Sequence, residues 1–189
     1  VTFSSMSKQE KLDAIAATIR ACSVCKIGKI GVAVPGEGSP NAKVVFVGEA
    51  PGKQEAVSGK PFIGRSGKLL RQFIQGIGLD DIHDVYISSP VKYLPRRGTP
   101  TASEIEHGRI HLQKQLAVIQ PKLVILMGRV AAEGVLERKV AVVKDHGQVI
   151  EEKEGIHYFL TYHPAAVLRF PNKFKAAIEE DFQKIKKLL

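Results

Sequence analysis

The sequence predicts an α/β fold, with a mainly parallel sheet and helices on both of its faces. Two observations carry this. Strand-length apolar runs alternate with longer stretches whose apolar residues recur at helical spacing, the pattern of consecutive βαβ units. Each apolar run also ends in a loop rich in Gly, Pro, Ser or His, and open α/β sheets bind ligands outside the carboxyl ends of their strands.

In chain order, Ser7 with Glu10 has the form of a capping box, and Leu12, Ile15, Ala16 and Ile19 follow on one helical face to about Ala21. Cys22-Ser23-Val24-Cys25 and a Gly/Pro-rich connection from Gly28 to Pro40 lead into a strand at 43–47. A helix over 65–77 carries Leu69, Leu70, Phe73, Ile74 and Ile77, and Gly78 ends it. Asp84 to Ile87 reads as a second strand, followed by a basic loop from Lys92 to Pro100. Thr101 and Glu104 form a second capping box, opening a helix to Ile119. Leu123 to Leu126 is a third strand, and 129–136 a short helix. Residues 140–149 read as extended, Glu151 to Glu154 as a solvated turn, and His157 to Thr161 as the last strand. Asn172 is expected to cap a final helix with Phe174, Ala177, Ile178, Phe182, Ile185 and Leu189 inward.

The chain has 189 residues, 44% of them hydrophobic, which suits one compact domain over 1–189 with residues 1–6 frayed. No apolar run approaches the ~20 residues that span a bilayer, and no signal-peptide pattern opens the chain. Two cysteines and no such signal suggest a reducing, cytoplasmic setting. The net charge of +9 favours a polyanionic partner. Part of the excess, Lys184, Lys186 and Lys187, also suits a helix C-terminus and needs no ligand.

The four strand ends deliver Gly48-Glu49-Ala50-Pro51-Gly52, Ser88-Ser89-Pro90-Val91-Lys92, Met127-Gly128-Arg129 and Tyr162-His163-Pro164-Ala165. In a parallel sheet these share one edge, bringing together a carboxylate, hydroxyls, cations and an imidazole. Ser89 and His163 precede prolines and are held extended. Taken singly, each piece also fits a plain structural role. Neither a G-x-G-x-x-G turn nor a phosphate-loop Gly-Lys-Ser/Thr signature is present, which counts against a generic nucleotide-binding protein.

Together, Gly48-Glu49-Ala50-Pro51-Gly52-x-x-Glu55, Gly59-Lys60-Pro61-Phe62-Ile63-Gly64, Val85-Tyr86-Ile87 with Val91-Lys92, and His163-Pro164-Ala165-Ala166 resemble the uracil-DNA glycosylase superfamily, family 4 most closely, from Cys22 to the final helix. The resemblance implies a three-layer α/β/α sandwich around a short, mainly parallel sheet. It implies a monofunctional hydrolase of DNA repair that flips uracil out of the duplex and breaks its N-glycosidic bond. His163 would stabilise the departing uracil anion, and Glu49 the positive sugar or the attacking water, with Glu55 assisting. Phe62 would stack on the base, which Gly48, Ala50, Pro51, Gly52, Ser88 and Ser89 would also contact. Lys92, Arg96, Arg97, Gly128, Arg129 and Arg169 would contact DNA, with Lys53 as a further phosphate contact. The partner is DNA carrying uracil or another deaminated base, and the chain is expected to act as a monomer away from membranes.

Two departures from the family pattern stand out. The family's base-reading Asn falls at Ser89, which opens the alternative of a glycosylase for hypoxanthine or xanthine. The family's [4Fe-4S] cluster needs four cysteines. Cys22 and Cys25 match two of them, while the other positions hold Tyr93 and Gly108. The expectation is therefore that no cofactor is bound and that Tyr93 and packing replace the cluster. The lesser reading is zinc on Cys22, Cys25 and His107, with His111. Both departures also motivate a catalytically weak protein that binds damaged DNA.

Overall fold

A computed structural model describes residues 5–189, so the expectation of a frayed end over 1–6 falls largely outside the described residues. The elements run α1 (Lys8–Ala21), α2 (Ser23–Lys26), β1 (Lys29–Ile30), β2 (Glu37–Gly38), β3 (Val44–Val47), α3 (Lys53–Ser58), α4 (Arg65–Gly76), β4 (Val85–Ser88), β5 (Leu94–Pro95), α5 (Ala102–Ile119), β6 (Leu123–Met127), α6 (Arg129–Leu136), α7 (Val142–Asp145), β7 (Gln148–Lys153), β8 (Ile156–Thr161), α8 (Pro164–Arg169) and α9 (Pro171–Lys187). Both expected capping boxes form: Ser7 with Glu10 opens α1, and Thr101 with Glu104 opens α5.

The main sheet has the order β2-β4-β3-β6-β8-β7. The four central strands are parallel, and β2 and β7 add antiparallel edges. Alternate residues of the central strands face opposite ways. Val45, Val47, Val124 and Leu126 pack with Leu12, Ile19, Leu112 and Leu116 of α1 and α5. Val44, Phe46, Leu123 and Ile125 pack with Leu70, Ile74, Ile178 and Phe182 of α4 and α9. A short strand buried on both faces needs apolar residues at every position, which explains the unbroken runs VVFV and LVILM. The result is the expected three-layer α/β/α sandwich.

Three local expectations are corrected. Residues 140–149 are not extended throughout: α7 forms inside them, with the Asp145 carboxylate accepting from the Ala141 N–H at 3.2 Å. The run Glu151–Glu154 is not a turn either, because Glu151, Glu152 and Lys153 pair with Tyr158, His157 and Ile156. The turn is Glu154-Gly155, both at positive φ (55° and 78°), as a two-residue hairpin requires. The charge run belongs to an edge strand, where charges discourage pairing with other chains. Finally, α9 starts at Pro171 with Phe170 as N-cap, and not from Asn172. Proline suits that first helical position, since the N–H it lacks would have no partner there.

The chain leaves β3 to pair β4 on one side and later returns with β6 on the other. This reversal of winding at the carboxyl end of β3 is the switch point at which such sheets bind ligands.

Candidate active site

At that switch point the strand-end loops enclose a cavity of about 280 Å³. It brings together Glu49, Ala50, Pro51, Gly52, Glu55, Phe62, Ser88, Ser89 and His163, and none of its lining residues is a lysine. A larger cavity of about 490 Å³ lies beside Cys25 and His107. Its carboxylate, Glu104, is tied to Lys29 at 3.2 Å, so the smaller cavity holds the freer chemistry.

His163 leaves β8 in extended backbone and caps α8. Its Nδ1 accepts from the Ala165 N–H at 3.1 Å. In a neutral imidazole this leaves the proton on Nε2, which is then a donor. Burial drives the ring's pKa down to about 4, so it is neutral at pH 7. Nε2 lies over Gly48 at the end of β3. Behind the ring stands Gly128 at φ 85°, where a Cβ would come within 3.3 Å of His163 Cβ.

Glu49 stands two positions beyond Val47, the last residue of β3, and is half-buried. Desolvation raises its carboxyl pKa above the usual glutamate value, and the Arg129 guanidinium pulls it partly back. Arg129 is exposed and also pairs with Glu133 at 2.8 Å.

Phe62 is held in left-handed backbone (φ 51°), a conformation uncommon for a bulky residue that must be enforced by its surroundings. Four features enforce it. Glu55 Oε1 accepts from the N–H groups of Ile63 (2.9 Å) and Gly64 (2.8 Å). Arg71 donates to the carbonyls of Pro61 and Phe62, each at 3.3 Å, while its other guanidinium nitrogen holds Asp81. A Cβ on Gly67 would strike the Phe62 carbonyl, and one on Gly48 would strike the Phe62 ring. The ring is thereby fixed 5.7 Å from the His163 ring. Sequence reasoning missed Arg71 and Gly67, because both lie on α4, outside the strand ends. The i+9 spacing of Arg71 from Phe62 carries no local pattern.

Glu55 is buried and both of these bonds go to loop amides, so its observed contacts are those of a positioning residue. Ser89 lines the cavity, but its hydroxyl donates to the Val91 carbonyl at 2.7 Å, leaving only lone pairs to offer a ligand.

Lys92 is a correction. It was expected on DNA, yet it is 1% exposed. Its Nζ donates to the Pro35 carbonyl (3.0 Å), Ser88 Oγ (2.8 Å) and Gln115 Oε1 (2.9 Å). Three ammonium protons meet three acceptors, so the chain itself uses the lysine. The Ser88 hydroxyl is drawn into the same network. Burial also lowers the pKa of Lys92 to about 7. The remaining expected DNA contacts, Arg96, Arg97, Arg129 and Arg169, are exposed, with Arg169 lying over the Phe170 ring at 5.4 Å. Lys53, Lys60 and Arg65 are also exposed and directly adjoin the lining residues Gly52, Pro61 and Ser66.

A profile of the Uracil DNA glycosylase superfamily matches residues 35–186. The chain belongs to this superfamily. It is similar to the Type-4 uracil-DNA glycosylase of Sulfurisphaera tokodaii, at 37% identity over 188 residues (95% of this chain, 85% of the relative). The Type-4 uracil-DNA glycosylase of Archaeoglobus fulgidus is 38% identical over 188 residues (95% and 94%). That of Thermotoga maritima is 31% identical over 188 residues (97% and 97%).

The profile match begins after the Cys22–Cys25 turn. The ligand atoms of Cys22, Cys25, His107 and His111 all lie within 4.8 Å of one another. Both cysteines are free thiols. As the side chains stand, burial pushes the Cys25 thiol up to about 12 and His111 down to about 4. The family 4 resemblance implies a four-cysteine iron–sulfur cluster, and these residues do not fit one: two thiols are missing. The missing fourth position is also closed sterically, since a Cβ on Gly108 would land on the Pro90 carbonyl.

Proposed function

We propose that this chain excises uracil from DNA as a monofunctional glycosylase, acting as a monomer in the cytoplasm. One observation carries the reading: a carboxylate, an aromatic face and a neutral imidazole donor converge on one cavity at the sheet's switch point. In the proposed mechanism the target nucleotide is extruded into this cavity and its base stacks on Phe62. The C1′–N1 bond breaks with its electron pair leaving on the base. His163 Nε2–H donates to a base carbonyl oxygen on which that charge collects. A neutral donor fixed in a poorly hydrated site stabilises such an anion without reorganising. Glu49 faces the sugar, stabilises its positive charge and orients the water that adds to C1′. The water's second proton leaves through the carboxylate, and the base takes a proton from solvent. The absence of lysine from the lining supports hydrolysis over an amine-linked intermediate. Free cysteines support a reducing compartment.

The test is base release from synthetic duplexes carrying uracil, hypoxanthine or xanthine. Uracil release is expected. Glu49→Gln is expected to lower its single-turnover rate by about 10²-fold or more, and His163→Ala by about 10²–10³-fold. Release of hypoxanthine with none of uracil would reassign the substrate. Binding to uracil-containing DNA without any release would make the chain a damage-binding protein.

A further inference from the structure

We infer that Cys22, Cys25, His107 and His111 form a closed, four-coordinate zinc site that stands where the family 4 resemblance places an iron–sulfur cluster.

The donor set is assembled by two short-range patterns. Cys22 is the N-cap of α2, and the Cys25 N–H donates to Cys22 Sγ at 3.4 Å, which points both sulfurs to the same side of a tight turn. His107 and His111 are four residues apart on α5 and therefore share a face, with their rings 5.7 Å apart. Cys22 Sγ lies 3.2 Å from His107 Nε2. His111 is 5% exposed, and neither of its ring nitrogens has a hydrogen-bond partner among the described residues. A buried imidazole with both nitrogens orphaned is costly, and coordination of one nitrogen to a metal removes much of that cost.

The spacing selects the kind of centre. On one tetrahedral zinc ion, with Zn–S of about 2.3 Å and Zn–N of about 2.0 Å, neighbouring donors lie about 3.3–3.8 Å apart. Donor atoms all within 4.8 Å of one another need only small side-chain adjustments to reach this. A cubane cluster holds its outer ligands much farther apart and takes thiolates. A two-iron centre of the Rieske type puts its two cysteines on one iron and its two histidines on the other, which the contact between Cys22 and His107 does not allow. Two thiolates and two imidazoles in tetrahedral array suit zinc, and two thiolates neutralise its charge. With all four positions taken by protein, no position remains for water or substrate, so the ion is structural. It would staple α2 to α5, and through the start of α5 steady the basic loop that ends at Pro100.

The test uses the full chain without a histidine tag. Metal analysis is expected to give about one zinc per chain, with no iron, no inorganic sulfide and none of the visible absorption of an iron–sulfur cluster. After chelation, the melting temperature should fall. Cobalt(II) added to the stripped chain should give the visible bands of a tetrahedral thiolate site. His107→Gln and His111→Gln keep both thiols. They should purify with little zinc, weaken the cobalt bands and lose the melting response to chelator. Iron with sulfide would overturn the inference. So would a Cys22–Cys25 disulfide, or a chain that holds no metal, takes up no cobalt and melts unchanged with chelator. These readouts are independent of base release, so failure of the zinc site and failure of the glycosylase reading are distinguishable.

Discussion

Burial disfavours charge on both His163 and Glu49, with different consequences. In the proposed mechanism the neutral form of His163 is the useful one, and a pKa near 4 keeps Nε2–H available as a donor well below neutral pH. For Glu49 the same mechanism needs the charged form, and its raised pKa means that it takes up its proton first as the pH falls. The acid limb of the single-turnover rate is therefore expected to belong to Glu49 and to lie above the ordinary glutamate value. Glu49→Gln should leave a slower reaction whose rate no longer falls along that limb. Persistence of the limb in that variant would assign it to another group. Stability follows a separate rule. Between about pH 4 and 6.5 the unfolded His163 side chain binds more protons than the folded one. The contribution of this residue to stability thus falls as the pH drops through that window and is level above it.

At the scale of elements, α3 and α4 act as a clamp on the loop between them. The Glu55 carboxylate on α3 and the Arg71 guanidinium on α4 grip the backbone of 61–64 from two sides and hold Phe62 in its unusual conformation. Because both loop amides bind one oxygen, Glu55→Gln can keep an acceptor in place. It is expected to retain most activity and stability. Glu55→Ala should cost about 2–4 kcal/mol of stability through two amides left without their partner, with a matching rise in KM as Phe62 loosens. Thermal melts and single-turnover kinetics of the two variants check this. If Glu55→Gln were as inactive as Glu49→Gln, Glu55 would be a catalytic residue. The clamp also marks the limit of what the sequence reveals. The parallel core and the capping boxes were legible from local periodicity, Glu49 and His163 from strand ends, and Phe62 only through the family resemblance. The clamp, the burial of Lys92 and the pairing of the charged edge strand β7 were not, since each depends on a partner supplied by tertiary packing. Lys92 shows the difficulty well. A lysine in a basic loop reads as a surface cation, and only the three acceptors gathered by β4, α5 and the Pro35 turn make an interior position possible.

For the whole molecule, a net charge of +9 matters mainly through where its free cations stand. The burial of Lys92 removes one cation from the set that DNA can reach. The exposed Lys53, Arg65 and Arg97 each adjoin in sequence a residue that lines the cavity, as does Lys60, which is paired with Glu37 at 3.7 Å. Each phosphate neutralised by such cations releases counterions, and the logarithm of the binding constant then falls by about 0.9 per contact for each decade of salt. Binding to an undamaged duplex isolates this effect from the reading of the base. Its affinity is expected to drop steeply with salt. Replacing Arg96 and Arg97 together by glutamine should make the slope shallower by up to about 2, with similar weakening for uracil-containing and undamaged duplexes. Lys92→Met should leave the slope unchanged and act on stability alone, because its ammonium faces Ser88 and Gln115 inside the protein. A slope that does not respond to the two arginines would place the DNA on a different face, away from the cavity that Phe62, Glu49 and His163 enclose.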